Sequence, residues 1–331
     1  MTKDKIIDLL KGKDDQWLYQ KAAQVKSINV GEKVYLRGLI EASNICSKDC
    51  LYCGIRASNQ AVDRYLLSPK QILQGAQYAL ENNYGSVVIQ TGEQRNEAFI
   101  AMIEQVVKEI KSLSQGRLGI TLSLGEQSQE TYRRWYEAGA HRYLLRIESS
   151  DPKLFERIHP KCDTWQERYN ALLALKKYGY QVGSGVMIGL PFQKIEDLAN
   201  DLEFMTHLDI DMCGMGPYIE HSQAPLSKVK SLYSTAQRIE LTLRMIALLR
   251  ILMPKINIAA TTALHTLDSQ GREKGIASGA NILMPNVTSQ LQREKYTLYT
   301  GKVTSDVDLR SFDIGWGEWG DSKHFKNRNE R

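Results

Sequence analysis

Cys46-Ser47-Lys48-Asp49-Cys50-Leu51-Tyr52-Cys53 gathers three of the chain's five cysteines into eight residues, spaced C-x3-C-x2-C. The octet follows a strand-like segment and precedes a polar loop containing Gly54. Thiolates are the soft ligands of iron-sulfur clusters, and three on one short loop cap three corners of a 4Fe-4S cube. The fourth iron then has no protein ligand and is open to chemistry. A structural zinc site closes instead with four ligands, commonly in pairs, and the remaining cysteines, Cys162 and Cys213, stand alone. Disulfides do not suit a chain whose start, MTKDKIIDLLKGKDDQW, lacks the apolar core of a secretory signal.

The chain around this loop has 331 residues, 42% of them apolar, enough for one large α/β domain with short extensions. Its 43 basic and 38 acidic residues leave a net charge of +5, and the basic ones are scattered except at the C-terminal end. Nucleic acid is therefore not the expected partner. The most apolar stretch, Met245 to Met253, is interrupted by Arg250 and is too short to cross a membrane. A soluble, cytoplasmic protein is expected.

Residues 3–27 carry Ile6, Leu9 and Leu10, then Trp17, Leu18 and Ala22, at helical spacings that predict one or two helices covering an end of the core. From Lys33 the pattern changes to short apolar runs alternating with helical segments. Eight runs are present: Lys33–Ala42, Ser86–Gln90, Leu118–Leu124, Arg142–Ile147, Gln181–Ile188, Met212–Met215, Asn257–Thr261 and Asn281–Met284. Ser68 with Gln71, and Ser234 with Gln237, supply helix-start capping boxes, while Gly139 and Gly279 stand where helices should stop. Ile195, Leu198, Leu202 and Met205 form one apolar stripe to lay on a sheet. Eight such units predict a complete parallel (β/α)8 barrel of the TIM type over residues 33–302, preceded by a helical extension (1–32) and followed by a tail (303–331).

A barrel of this kind works at the carboxyl ends of its strands. The polar clusters fall there: the cysteines after the first run, Thr91-Gly92-Glu93 after the second, Ser123 to Glu126 at the third, and Arg146 and Glu148 at the fourth. Each has a plainer reading, a solvated turn for Thr91-Gly92-Glu93 and an internal ion pair for Glu148, Arg146 and Arg168. Arg37 and Arg142 lie within apolar runs, where an arginine is costly unless it meets an anion; a salt bridge to Glu41 or Glu126 is the simple alternative.

With Tyr52 in the aromatic position, the loop resembles the C-x3-C-x-aromatic-C pattern of the radical SAM superfamily. The resemblance implies that the open iron of a 4Fe-4S cluster chelates S-adenosylmethionine, whose reductive cleavage gives methionine and a 5'-deoxyadenosyl radical. Thr91-Gly92-Glu93 resembles the superfamily's Gly-Gly-Glu turn for the cofactor's amino group, with Thr first. Carried over by place, Ser123, Arg146 and Glu148 at strand ends, Arg168 toward the cofactor's carboxylate, and Met187 in the small apolar run Gly183–Gly189 would complete the cofactor site, with Glu148 facing the ribose.

Further strings are similar to the HydE family, the radical SAM maturases of FeFe hydrogenase: TLSLGE (121–126), AHRYLLR (140–146), Ala260-Thr261-Thr262-Ala263 and LYTGK (298–302). That resemblance runs from about Lys33 to Lys302. It implies a substrate cavity lined by Arg37, Thr121, Arg142, Thr261, Thr262 and Tyr299. It also implies a small organometallic or amino-acid-derived substrate, an iron complex of cysteine with carbonyl and cyanide ligands, attacked at sulfur. A low-potential electron donor, ferredoxin or flavodoxin, and other maturation proteins are the implied partners. No cysteine follows Cys213, so a second cluster near the carboxyl end is not expected, and Cys162 and Cys213 read as packing residues. Methylornithine synthase and biotin synthase are related alternatives, although the latter would need further cysteines on barrel strands. An iron-sulfur carrier without turnover is the alternative of another class. The tail, with Trp316, Trp319 and KHFKNRNER, is expected to fold over the barrel's open end or to dock a partner.

Overall fold

Each apolar run pairs with the next in chain order, as buried parallel strands joined by helical crossovers must. The computed structural model, which describes residues 1–315, contains β1 (Val34–Ser43), β2 (Ser86–Thr91), β3 (Gly119–Ser123), β4 (Arg142–Leu144), β5 (Gln181–Ser184), β6 (Met212–Cys213), β7 (Asn257–Ile258) and β8 (Ile282–Leu283). Neighbours from β8 through β1 to β7 are hydrogen-bonded, all parallel. The ring closes through a bridge between Ala259 and Ile282, where Ala260 N–H donates to Ile282 O at 3.0 Å and Asn281 N–H to Ile258 O at 3.0 Å. The expected (β/α)8 barrel is therefore present.

The strands are buried on both faces, since the barrel interior lies on one side and helices on the other. On α8 (Ile195–Leu208) the stripe is placed as its spacing demands, with Leu198, Leu202 and Met205 fully buried. Both serine capping boxes form, at Ser68 and Ser234. The N-terminal helices α1 (Lys3–Leu10) and α2 (Asp15–Asn29) bury Ile6, Leu9, Leu10, Leu18 and Ala22 and lie against α8 and α9 (Thr235–Leu252). Trp17 does not join that face: it is 39% exposed, with the Lys5 ammonium 5.3 Å above its ring.

The fifth and sixth runs break where the sequence reads as continuous. Gly185 and Gly214 interrupt them, and the chain resumes as a short parallel pair, Met187–Ile188 with Gly216–Pro217. A Cβ on Gly185 would lie 2.1 Å from Gly214 O, so the two backbones approach more closely than any side chain permits. This turn aims Met187 and Tyr218 at the open face.

After β8 the helix α12 (Gln290–Lys295) is only six residues long. Residues 303–315 pack against the barrel and end as a short strand, β9 (Ile314–Gly315), paired with Val34 and Tyr35 at the start of β1. The described part of the tail thus ends at the amino-terminal end of the barrel, opposite the end expected from sequence. The physical reason is its own apolar content: Val307, Leu309, Phe312 and Ile314 pack on the core there. Trp316, Trp319 and KHFKNRNER lie outside the described residues.

Gly185→Ala should destabilise the protein by about 1–3 kcal/mol or more, because neither backbone can retreat. Denaturant unfolding measures it, and an unchanged midpoint would contradict the close approach.

Candidate active site

The loop after β1 is shaped by Arg64, whose guanidinium donates to the carbonyls of Asn44 (2.6 Å), Ile55 (2.7 Å), Arg56 (2.7 Å) and Asn59 (3.2 Å). Asn44 Nδ2 ties the same loop to Asp63 O (2.9 Å) and Lys295 O (2.8 Å). Arg56 donates to Asp49 at 2.7 Å. So fixed, the loop holds Cys46, Cys50 and Cys53, each half-buried, around one cavity. Glu93 N–H donates to Cys46 Sγ at 3.3 Å, and a Cβ on Gly92 would stand 2.3 Å from Ile45 O, so glycine is required where the second-strand turn meets the ligand loop.

Burial pushes all three thiols up, Cys53 to about 12, with the neighbouring sulfurs adding repulsion at Cys50 and Cys53. Bound iron reverses that balance by supplying positive charge to buried thiolates. Among the described residues no three His, Cys, Asp or Glu side chains form a group able to hold a single metal ion.

The cavity is about 250 Å³ and opens at the carboxyl ends of the strands. Besides the cysteines it is lined by Tyr52, Thr91, Gly92, Glu93, Ser123, Arg146, Glu148, Arg168, Met187, Thr261 and Tyr299, all singled out in the sequence. Tyr218 and Tyr296, which the sequence did not mark, also line it. Glu148 stands at φ +65°, a left-handed backbone rare for a side-chain-bearing residue and typical of functional positions. Burial raises the carboxyls of both Glu93 and Glu148. Glu148 Oε2 lies 2.9 Å from Arg146 Nη2, and Glu93 Oε1 lies 2.7 Å from Arg95 Nη2, yet neither oxygen makes a hydrogen bond among the described residues. Each still faces a guanidinium across an ion pair at the cavity wall, with lone pairs to spare.

Arg168 pairs with neither Glu148 nor Arg146's side chain. Its Nε donates to Glu126 and its Nη1 to Arg146 O at 2.6 Å. Lys48, inside the ligand loop, meets Glu126 at 3.1 Å and also Asp163. Burial alone would raise Glu126, but Arg168 and Lys48 outweigh it and hold the carboxyl below its usual value. The pairing of Lys48 with Glu126 and Asp163 was invisible in sequence because 78 and 115 residues separate Lys48 from its two partners.

Tyr52 has a fixed setting too. His159 Nδ1 lies 3.0 Å from Phe155 O, which only accepts, so Nδ1 carries the proton and Nε2 is left to accept from Tyr52 Oη at 3.3 Å. Burial, with Arg168 adding repulsion, lowers His159 to about 3.

The proposed substrate residues are not brought into one space. Thr261 and Tyr299 line the main cavity. Arg37 and Thr121 line a smaller one, about 40 Å³, deeper in the barrel. Arg37 Nη1 donates to Ser86 Oγ at 2.7 Å, not to Glu41, whose partner is Lys302. Arg142 is fully buried with Nε on Gln181 Oε1 at 2.9 Å. Thr262 begins α10 (Thr262–Leu267) and lines neither cavity. Cys213 is buried against Met205, whereas Cys162 is exposed, unlike its sequence reading as a packing residue.

The profile of the radical SAM superfamily matches residues 40–205. The [FeFe] hydrogenase maturase subunit HydE of Thermotoga maritima is 43% identical over 286 residues, 86% of this chain and 79% of that one. The chain belongs to the HydE family of the radical SAM superfamily. More distant is the 3-methylornithine synthase of Methanosarcina acetivorans, 26% identical over 90% of this chain and 81% of its own. The crystal structure of methylornithine synthase (PylB) superposes with a TM-score of 0.74 at 24% identity, over 86% of this chain and 82% of that one, which supports the fold. This HydE-family protein is a radical SAM enzyme, with a 4Fe-4S cluster and S-adenosylmethionine as its cofactors.

The displaced titration of His159 has a measurable consequence. Its folded value lies below the unfolded value of about 6.5, so the unfolded chain binds more protons between those limits. The stability is present above about pH 6.5 and is lost as pH falls toward 3. Unfolding should cost about 2 kcal/mol less at pH 5 than at pH 7 from this group alone. Denaturant curves at the two pH values should show that difference shrinking in His159→Phe, and an equal difference in both proteins would refute the assignment.

Proposed function

We propose that this enzyme acts in assembly of the FeFe-hydrogenase diiron subcluster, on an iron-cysteine complex carrying carbonyl and cyanide ligands. The observation that carries the reading is the 43% identity to the Thermotoga maritima maturase across 86% of the chain. The cavity adds support, with its cysteines, acceptors and cations on one face.

When bound, the cluster supplies an electron that cleaves S-adenosylmethionine and yields the deoxyadenosyl radical. The chain's own residues do the rest. Glu93 and Glu148, whose ion-paired carboxylates keep further lone pairs, would accept from the cofactor's amino group and ribose. Arg168 spends Nε and Nη1 on Glu126 and Arg146 O, which leaves Nη2 for the cofactor's carboxylate. Met187, on the cavity wall, would face the adenine. Thr261 and Tyr299 meet the substrate nearest the cluster, while Arg37 and Thr121 line the smaller cavity beneath and Arg142, which lines neither, adds its charge from behind the wall. The segment 296–302 closes the mouth against water: Gly54 N–H donates to Leu298 O at 2.8 Å and Thr300 N–H to Glu220 O at 3.1 Å. A ferredoxin or flavodoxin supplies the electron, and other maturation proteins receive the product. No helix among the described residues is long and apolar enough to cross a membrane, and reduced thiols suit the cytoplasm. The chain divides into a helical extension (1–32), the catalytic barrel (33–302) and a tail (303–331).

Rearrangement of lysine would require a further carboxylate for the distant ammonium, and the two that line the cavity, Glu93 and Glu148, are the ones assigned to the cofactor. Offered lysine and the iron-cysteine complex side by side, the reduced enzyme should adenosylate the cysteine sulfur of the complex and leave lysine unchanged. Methylornithine formed from lysine, with the complex inert, would overturn the substrate assignment.

Slow cleavage to 5'-deoxyadenosine without substrate is also expected. Glu148→Ala should weaken binding of S-adenosylmethionine by about 1–3 kcal/mol, the value of a buried charged hydrogen bond. Equilibrium binding measures it, and an unchanged dissociation constant would remove Glu148 from the site.

A further inference from the structure

The ligand loop has two sides. One faces the cavity, which must admit the cofactor and the substrate and is closed by residues 296–302. The other packs on the helix Pro152–Ile158 and the segment Pro225–Lys228, and only the inner edge of that cluster, Tyr52, Met187 and Tyr218, reaches the cavity. On that side Leu51, which stands between two ligands of the cluster, is bound into a wall: its N–H donates to Ile158 O at 3.0 Å and its carbonyl accepts from Leu226 N–H at 2.9 Å. Leu51, Phe192 and Val229 are half-buried there over Leu154, Ile158 and Leu226. The result is an apolar pad directly behind the cysteines.

The pad is rimmed by cations. Arg157 precedes Ile158 and lies 3.3 Å over the Phe192 ring, Lys161 follows two residues after His159, and Lys228 and Lys230 flank Val229. All four are exposed, and none makes an ion pair among the described residues. The nearby carboxylates are otherwise engaged: Asp49 with Arg56 and Ser58, Asp163 with Lys48, and Asp151 at the amino end of the helix Pro152–Ile158. Glu156, and farther along the chain Glu167 and Glu196, are the exposed glutamates on the neighbouring helices among the described residues. An apolar centre inside a rim of one sign of charge steers a partner of the opposite sign and then holds it at contact.

We infer that Leu51 and Val229, with Arg157, Lys161, Lys228 and Lys230 around them, form the docking surface for a small acidic protein that carries one electron at low potential. The inference rests on the radical SAM reading, because only a cluster behind Leu51 gives such a partner something to reduce. In the docked complex one electron passes from the carrier to the oxidised cluster. The carrier is oxidised by one electron, the cluster is reduced by one, and no atom or proton need move.

Reduction of the reconstituted enzyme by flavodoxin hydroquinone and by dithionite, followed by cluster absorbance in stopped flow, tests this. The triple variant K161E/K228E/K230E reverses the rim, and K33E/K177E/K255E makes the same change of charge at exposed sites elsewhere. The rim variant should be reduced by flavodoxin at least tenfold more slowly at low ionic strength, with the gap closing in high salt. The remote variant should behave as wild type, and dithionite should reduce all three proteins equally. Flavodoxin rates unchanged in the rim variant, or lowered as much in the remote one, would overturn the proposal. The single variants K161E and K228E give the same comparison should the triple variant lose its cluster. A wild-type enzyme that takes up dithionite electrons but makes no deoxyadenosine counts against the radical reading instead, so the two fail separately.

Discussion

Three thiolates must be held close together, away from water, at the end of one strand, and this is costly until iron shares their charge. Burial and mutual repulsion both push the thiols up. The loop withstands this only because its backbone is tied from several sides: Arg64 gathers four carbonyls, Asn44 anchors it to two more, and Glu93 N–H reaches Cys46. A parallel barrel suits the task, since its strands all deliver their ends to one face while the ring beneath stays rigid.

The same constraint accounts for the ions around the cavity. Charges in such a place are tolerated only in networks that satisfy most of their hydrogen-bonding capacity. Lys48 links the ligand loop to Glu126, which links to Arg168, which reaches the carbonyl of Arg146, whose side chain meets Glu148. Contributions from β1, β3 and β4 are thereby locked together around a space that no protein atom fills. The network is set before a ligand arrives, so little reorganisation is needed on binding.

Much of this was legible in the sequence. The eight strands were, because a strand buried on both faces reads as an unbroken apolar run. The three cysteines were, because they lie within eight residues, and Thr91-Gly92-Glu93 and Glu148 line the cavity at the strand ends, where a parallel barrel places function. Features set by distant contacts were not. The breaks at Gly185 and Gly214 depend on a backbone approach between two strands, and the partner of Arg168 is a glutamate 42 residues away. His159 reads as one histidine among six until folding sets it against Tyr52. The tail misled for a related reason: its few apolar residues find their cover beside β1, which composition alone does not indicate.

The central claim is that Cys46, Cys50 and Cys53 leave one iron open for S-adenosylmethionine. It is tested most directly by electron-nuclear double resonance on the reduced, reconstituted protein, with the cofactor's amino nitrogen labelled with nitrogen-15. The account predicts about four irons per chain and a hyperfine coupling from that nitrogen, both lost in Cys53→Ala. A full cluster with no coupling in the wild-type protein, or an undiminished coupling in the variant, would contradict it.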